Sequence, residues 1–385
     1  MEKVKVKLKL KLIKCILLAL IFSLPWVLGG GPVQAIPYIS SNHYCLLDGE
    51  KGQLILSRNA HEPRPVASTT KVLTAIVVLD YADVNEIATV SDNAARTPQY
   101  AIGLKAGQQL TVEELLKAAL VKSANDAAVV LAEHVAGNEG FFAHLMNKKA
   151  FLLGASQTHF ENSSGLPAQE HVSTAYDLAI LGRYALTIPE IAELVGARQV
   201  EFKHPDYQQP LVLKNTNTLL EVYPGANGIK TGTTNAAGKC LLASAQRDGR
   251  QLIAVTLHSG NRQADCSRLL DYGFNETKPV VVLSPRETFK EIPADKGVLI
   301  PIVPERQVEL WMGEGTPNIE KIVDINYHIN LPVKKGTRVG SISLFADGKL
   351  VERVPLVVGE DIYGEGTTLE KWLKNFLARL KESSA

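Results

Sequence analysis

Ser68 and Lys71 are a pair whose types and spacing could do chemistry. Residues three apart share a helix face, so a Ser-x-x-Lys pair sets an amine within reach of a hydroxyl: a nucleophile with a candidate base. The approach, Glu62-Pro63-Arg64-Pro65-Val66-Ala67, disfavours helix, and the apolar run from Val72 to Leu79 contains no breaker. Ser68 is therefore expected to open a helix, with its hydroxyl near free backbone N–H groups. Alone, the pattern also reads as a helix N-cap followed by a surface lysine. Two further sets follow in chain order, Ser123-Ala124-Asn125 and Lys230-Thr231-Gly232-Thr233. Each by itself is common, as a helix-terminal polar turn and as a strand end. Together they are more specific, because each can meet a different requirement of one reaction.

The elements that must position these residues are legible around them. Tyr44 to Leu56 reads as a β-hairpin with a Gly49-Glu50-Lys51-Gly52 turn, leading into the Ser68 helix. Thr111-Val112-Glu113-Glu114 is a capping box whose helix delivers Ser123 and Asn125, and a second helical run from Ala127 to Val135 stops at Gly137. Residues 140–196 are mostly helical by periodicity, interrupted by an Asn162-Ser163-Ser164-Gly165-Leu166-Pro167 loop. Cys240 to Ser244 and Leu252 to Leu257 are strand-like around an Arg247-Asp248-Gly249-Arg250 turn, so they should pair antiparallel. The segment upstream, Gly228 to Thr233, has glycines at 225, 228 and 232 that let backbone approach a ligand closely. From a boundary near Lys278-Pro279, six strand-like segments divided by Gly and Pro turns imply a separate all-β domain over 279–365. Leu369, Trp372, Leu373, Phe376, Leu377 and Leu380 then share one helical face, with Lys371, Lys374, Arg379 and Lys381 around it. This predicts an in-plane membrane helix over 366–385, with an ordinary docking helix as the competing reading.

Composition excludes several classes. The 385 residues, 45% hydrophobic, suit a globular protein of two domains, and 41 Lys plus Arg against 40 Asp plus Glu give no reason to expect a nucleic-acid partner. Charge is concentrated at the start. Six lysines between Lys3 and Lys14, an apolar Cys15 to Leu28 segment and small residues near Ala35 read as a secretory signal over 1–35, with an uncleaved anchor as the competing reading. The mature chain would then begin near Ile36, outside the cytoplasm. Cys45, Cys240 and Cys266 allow at most one internal bridge, and the last two read as buried hydrophobes. The scattered histidines form no zinc motif, so metal hydrolysis is disfavoured and no metal or cofactor is expected.

The three ordered motifs resemble the serine penicillin-recognising acyltransferases, and within them the D-alanyl-D-alanine carboxypeptidases, the low-molecular-mass penicillin-binding proteins. The similarity extends to Pro65 through Lys71, Leu116 through Ala128, Thr174 through Leu178, Gly228 through Gly238 and Leu269 through Phe274, and covers residues 36–277. The resemblance implies an α+β fold: an antiparallel sheet flanked by helices with an α-helical insertion, followed by the small all-β domain and the amphipathic helix. It implies a serine-type D-Ala-D-Ala carboxypeptidase, exported and peripheral to the outer face of the cytoplasmic membrane, acting on the stem peptide of peptidoglycan and acylated by penicillin. Ser68 would be the nucleophile and Lys71 its base, which requires burial and a nearby positive charge to lower the lysine's pKa; Lys230 is the candidate for that charge. Ser123 would relay a proton to the leaving amine, and Asn125 would bond an amide of the substrate. The backbone N–H groups of Ser68 and Thr233 would hold the oxyanion. Lys230, with the Thr231 and Thr233 hydroxyls beside Gly232, and an assisting Arg262 would hold the substrate carboxylate.

Two departures separate the chain from class A β-lactamases. Ser-Ala-Asn replaces their Ser-Asp-Asn, and the Glu-x-x-Leu-Asn pattern of their deacylating base is absent. A β-lactamase and a non-catalytic penicillin- or peptidoglycan-binding module are the competing readings. His61, His159 and Asp177 have the types of a Ser-His-Asp system, but their spacing makes no recognised motif.

Overall fold

The computed structural model describes residues 36–363, apart from Gln99 and 295–297. Contacts divide the chain into Met1–Ile36 and a compact unit from Pro37 onward. The expected signal segment over 1–35 and the tail helix over 366–385 lie outside the described residues. Among the described residues, no helix is long and apolar enough to cross a membrane.

An antiparallel sheet of five strands organises the first part of this unit. Strands β1 (His43–Asp48) and β2 (Leu54–Arg58) form the expected hairpin. Strands β3 (Ala226–Thr234), β4 (Gly238–Arg247) and β5 (Arg250–Ser259) complete the order β2-β1-β5-β4-β3, with β3 at the edge. Strands β1, β2, β4 and β5 carry apolar runs because both faces are covered, whereas the edge strand β3 is polar. Leu46, Leu241 and Ala254 face a cluster with Cys266, Leu269 and Leu270 of a long helix, Arg262–Glu276. Their neighbours Leu47, Leu242 and Val255 face the opposite cluster, formed with the other helices. One residue along the strand reverses the face, as the period-two geometry of a strand requires.

Within that second cluster lies helix α1, Lys71–Tyr81. Its Val72, Leu73, Ile76, Val77 and Val78 are fully buried, worth roughly 1.5–3 kcal/mol each. Together they outweigh the several kcal/mol, in order of magnitude, that burying the amine of Lys71 costs. Helix α2, Val112–Lys117, starts where the capping box predicts, with Thr111 Oγ1 accepting from the Glu114 amide. It continues through a π-turn, Ala118–Lys122, and ends at Ser123 in the left-handed region with φ 68°. Helix α3, Asn125–Ala136, follows and terminates at Gly137 with φ 75°. Helices α4 (Glu139–Leu152), α5 (Ala175–Ala185) and α6 (Pro189–Gly196) fall in the predicted helical stretch, but the break between the first two runs from 153 to 174, wider than the expected 162–167 loop.

Between Lys278 and Tyr363 the regular elements of the described residues are all strands. Five strands, Lys290–Pro293, Leu299–Pro304, Lys349–Val358, Arg338–Ala346 and Ile319–Ile325, form one sheet in that order, and Lys278–Leu283 pairs with Val308–Met312 beside it. Ile300, Ile302, Leu310, Ile342, Leu344 and Leu356 are the centre of its core. It is joined to the first part through specific contacts. The Arg250 guanidinium lies 3.4 Å from the centroid of the Trp311 ring, and the Gln53 side-chain amide exchanges two hydrogen bonds with the Trp311 backbone.

Several local expectations are corrected. Ser68 does not open an α-helix: it sits in a 3₁₀ turn, Ala67–Thr70, from which α1 continues. Arg262 is the first residue of helix α7, Arg262–Glu276, which is capped by Asn261 Oδ1 accepting from the Ala264 amide. The strand Lys290–Pro293, and the ribbons pairing Ile87–Thr89 with Gln109–Thr111 and Gln199–Phe202 with Leu211–Lys214, carry too little apolar alternation to be predicted. Among the described residues no disulfide forms, and Cys45, Cys240 and Cys266 are buried free thiols.

Candidate active site

The nucleophile candidate is held in a tightly packed corner. Ala67, immediately before Ser68, takes a left-handed φ of 52°, a conformation that costs a β-carbon residue of order 1 kcal/mol or more. Side-chain bonds hold the turn in place, with the Thr69 and Thr70 hydroxyls donating to the Val66 and Ala67 carbonyls, each at 2.9 Å. Two glycines press on it from outside. A β-carbon at Gly232 would lie 2.7 Å from the Val66 carbonyl oxygen and 3.0 Å from the Ser68 nitrogen, and one at Gly165 would lie 2.1 Å from the Ala67 carbonyl oxygen. The edge strand β3 and the 162–167 loop therefore close on Ser68 from two sides, as only glycine permits.

Lys71 is fully buried behind the serine. Its Nζ donates to Ser68 Oγ at 3.1 Å, to Asn125 Oδ1 at 2.6 Å and to the Ser164 carbonyl at 2.6 Å. Burial, followed by the repulsion of Lys230, lowers its pKa well below the ordinary lysine value; Asp126 and Glu139 oppose this less strongly. Lys230 is also buried, with Nζ donating to the Thr231 carbonyl at 3.2 Å, and burial together with Arg262 lowers its pKa to about 7.

In front of these groups is a cavity of about 150 Å³ lined by Ser68, Tyr100, Lys122, Ser123, Thr216, Thr231, Gly232, Thr233 and Arg262. Ser123 reaches its wall through the left-handed turn that ends the π-turn. Among the described residues its hydroxyl makes no hydrogen bond. Thr231 Oγ1 donates to Thr216 Oγ1 at 2.8 Å. Arg262 reaches the same wall from the start of α7, with Nη1 donating to Thr233 Oγ1 and to the Gly232 carbonyl, both at 2.8 Å. None of the lining residues is acidic.

The fold thus brings all nine expected residues into one site, with Lys71, Asn125 and Lys230 behind the lining rather than on it. Sequence reasoning missed four contributors. Tyr100, Lys122 and Thr216 line the cavity, and the Ser164 carbonyl holds Lys71. Lys122 adjoins a motif and Ser164 lies in a recognised turn, but nothing local marks Tyr100 or Thr216. Asp126 supports the Tyr100 segment by accepting from the backbone amides of Ile102, Gly103 and Leu104 at 3.0 to 3.2 Å. The residues of the unrecognised triad are dispersed: His61 pairs with Asp347, Asp177 accepts from Thr158 and the Gln157 amide, and His159 is exposed.

The comparisons agree with this arrangement. Residues 32–261 match the D-alanyl-D-alanine carboxypeptidase family, and residues 287–363 match the penicillin-binding protein 5 C-terminal domain. The chain is 30% identical over 347 residues to D-alanyl-D-alanine carboxypeptidase DacF of Bacillus subtilis, covering 86% of this chain and 89% of that one. It is 32% identical over 362 residues to DacC of Escherichia coli, covering 87% and 88%. Among solved structures, penicillin-binding protein 6B of Escherichia coli superposes with a TM-score of 0.63 at 28% identity, over 85% of this chain and 98% of that one. Penicillin-binding protein D2 of Listeria monocytogenes in its cefotaxime-bound form gives 0.55 at 32% identity, over 63% and 100%. With a site built on Ser-x-x-Lys, Ser-x-Asn and Lys-Thr-Gly and matches that span most of its length, the chain belongs to the D-alanyl-D-alanine carboxypeptidase family of low-molecular-mass penicillin-binding proteins.

Proposed function

We infer that the chain is a serine D-Ala-D-Ala carboxypeptidase, and that it removes the terminal D-alanine of peptidoglycan stem peptides through an acyl-enzyme on Ser68. The observation that carries this reading is the fully buried Lys71 amine, 3.1 Å from Ser68 Oγ and next to a second buried lysine. An amine so placed is neutral at pH values where an ordinary lysine is charged, and can take the serine proton. Lys71 is that base. Ser68 Oγ then attacks the carbonyl of the penultimate D-alanine, and the backbone N–H groups of Ser68 and Thr233 stabilise the oxyanion.

Ser123, on the cavity wall, relays that proton: its hydroxyl takes one from the Lys71 ammonium as it gives its own to the leaving amine nitrogen of the terminal D-alanine, which returns Lys71 to its neutral form. Asn125 fixes Lys71 through Oδ1 and bonds an amide group of the bound peptide. Lys230, Thr231, Thr233 and Arg262 bind the terminal carboxylate at the Gly232 edge of strand β3. Water, activated by the same serine–lysine machinery, releases the shortened peptide. A β-lactam offers a carboxylate and a strained amide to the same groups and acylates Ser68. With no carboxylate on the cavity wall to activate water independently, the drug adduct is long-lived, which favours a peptidase over a β-lactamase.

Residues 1–35 act as the export signal, 36–277 as the peptidase domain, 279–365 as the β domain and 366–385 as an amphipathic helix on the outer face of the cytoplasmic membrane. The functional test is incubation of the mature protein with a peptide ending in D-Ala-D-Ala. Release of free D-alanine is expected, with none from the same peptide ending in L-Ala-L-Ala; equal release from both would remove the assignment. Binding without turnover would identify a non-catalytic module instead.

A further inference from the structure

The expectation that the scattered histidines bind no metal rests on linear spacing, and the fold changes the spacing. His159 and Val172 form an antiparallel backbone bridge, with N–O distances of 2.9 and 2.8 Å, that closes the base of the 160–171 loop. At its mouth, one ligand-capable atom each from His159, Glu161 and Glu170 lies within 4.8 Å of the other two. The two carboxylates have no Lys or Arg partner among the described residues, and the His159 imidazole makes no hydrogen bond there. Glu161 Oε1 accepts from the Glu170 amide at 3.2 Å, and a divalent ion between the three side chains would meet donors that no cation of the protein now meets.

We propose that His159, Glu161 and Glu170 form a zinc site that clamps the mouth of this loop. One imidazole nitrogen and two carboxylate oxygens are a donor set suited to zinc, whereas calcium and magnesium prefer all-oxygen shells. Tetrahedral ligation at about 2.1 Å sets donors about 3.4 Å apart, so the side chains close by roughly 1 Å, within the reach of rotamer adjustment for exposed groups. Water completes the fourth position. The site is not catalytic, since its residues are absent from the cavity lining.

Its effect is on position. The loop it closes carries the Ser164 carbonyl that accepts from Lys71 and the Gly165 that packs on Ala67. Asn162 Oδ1 already ties the Ser164 and Gly165 amides together inside the loop. Zinc at the mouth would add a constraint from outside, fixing the shelf on which the base rests.

The test uses the untagged mature chain, stripped with a chelator and titrated calorimetrically with zinc chloride up to about 100 µM, where a micromolar site saturates. One zinc per chain is expected, with a rise in the thermal midpoint on zinc addition. Glu170→Gln and His159→Gln should each weaken binding about tenfold or more and lose the thermal rise, while keeping the metal-free midpoint and penicillin acylation. The three thiols are buried and do not compete. Absence of binding to the wild-type chain, undiminished binding to both variants, or tighter binding of calcium than of zinc would each overturn the proposal.

Discussion

At the scale of single residues, the account depends on two buried amines that divide the work by protonation state. Lys71 acts when neutral and Lys230 when charged. As pH rises through the lowered pKa of Lys71, the base forms and kcat/KM climbs; as pH rises past about 7, free Lys230 loses its proton and with it the carboxylate anchor. A bell-shaped kcat/KM profile is expected, with its falling limb near pH 7 in the free enzyme. Bound carboxylate stabilises the Lys230 cation, so the falling limb of kcat lies at higher pH. Lys230→Gln removes a charge that depresses Lys71, so the rising limb should move to higher pH and acylation at neutral pH should fall at least about tenfold. Stopped-flow acylation by a chromogenic β-lactam across pH measures both, and a rising limb unmoved in the variant would separate the two lysines.

At the scale of elements, the site depends on a backbone corner pressed between two glycines. Gly232→Ala places a β-carbon 2.7 Å from the Val66 carbonyl oxygen and 3.0 Å from the Ser68 nitrogen, so strand β3 must retreat from the nucleophile. We expect roughly 1–3 kcal/mol lost in chemical denaturation. Acylation should fall more than about tenfold, because the displaced edge carries both the anion site and one oxyanion donor. Normal acylation with only stability reduced would show that the corner is not coupled to the chemistry.

The same corner shows what was legible in the sequence. The strands β4 and β5, the capping box at Thr111 and the stop at Gly137 follow from local pattern and hold. The 3₁₀ start at Ser68 does not, because it depends on the left-handed Ala67 that Gly165 and Gly232 enforce from distant parts of the chain. Helix α7 was obscured by the charged and polar residues of its first turn, of which Arg262 bonds the Gly232 edge and Asp265 accepts from Ser40 and Ser259. Nothing local marks Tyr100 or Thr216, since each becomes part of the site only when separate segments meet at the cavity. The three motifs were readable because the chemistry constrains residue type; their surroundings are constrained by shape, which several side chains satisfy.

At the scale of the whole molecule, the candidate site lies in the first part of the chain, and attachment through residues 366–385 is the proposal to be tested. The all-β part is anchored by the Arg250–Trp311 stack and the Gln53 bonds, and its residues contribute nothing to the cavity lining. Removing the residues after Gly366 should therefore shift the protein from the membrane to the soluble fraction after signal cleavage while D-alanine release continues at the wild-type rate; fractionation with an activity assay checks both. The central claim is that Ser68 carries the acyl group. Its most direct measurement is mass spectrometry of the mature chain after incubation with penicillin, followed by proteolysis and mapping of the adduct. One penicilloyl group on the peptide containing Ser68, and none on Ser68→Ala, is the predicted result. An adduct on another residue, or an unmodified wild-type chain, would contradict it.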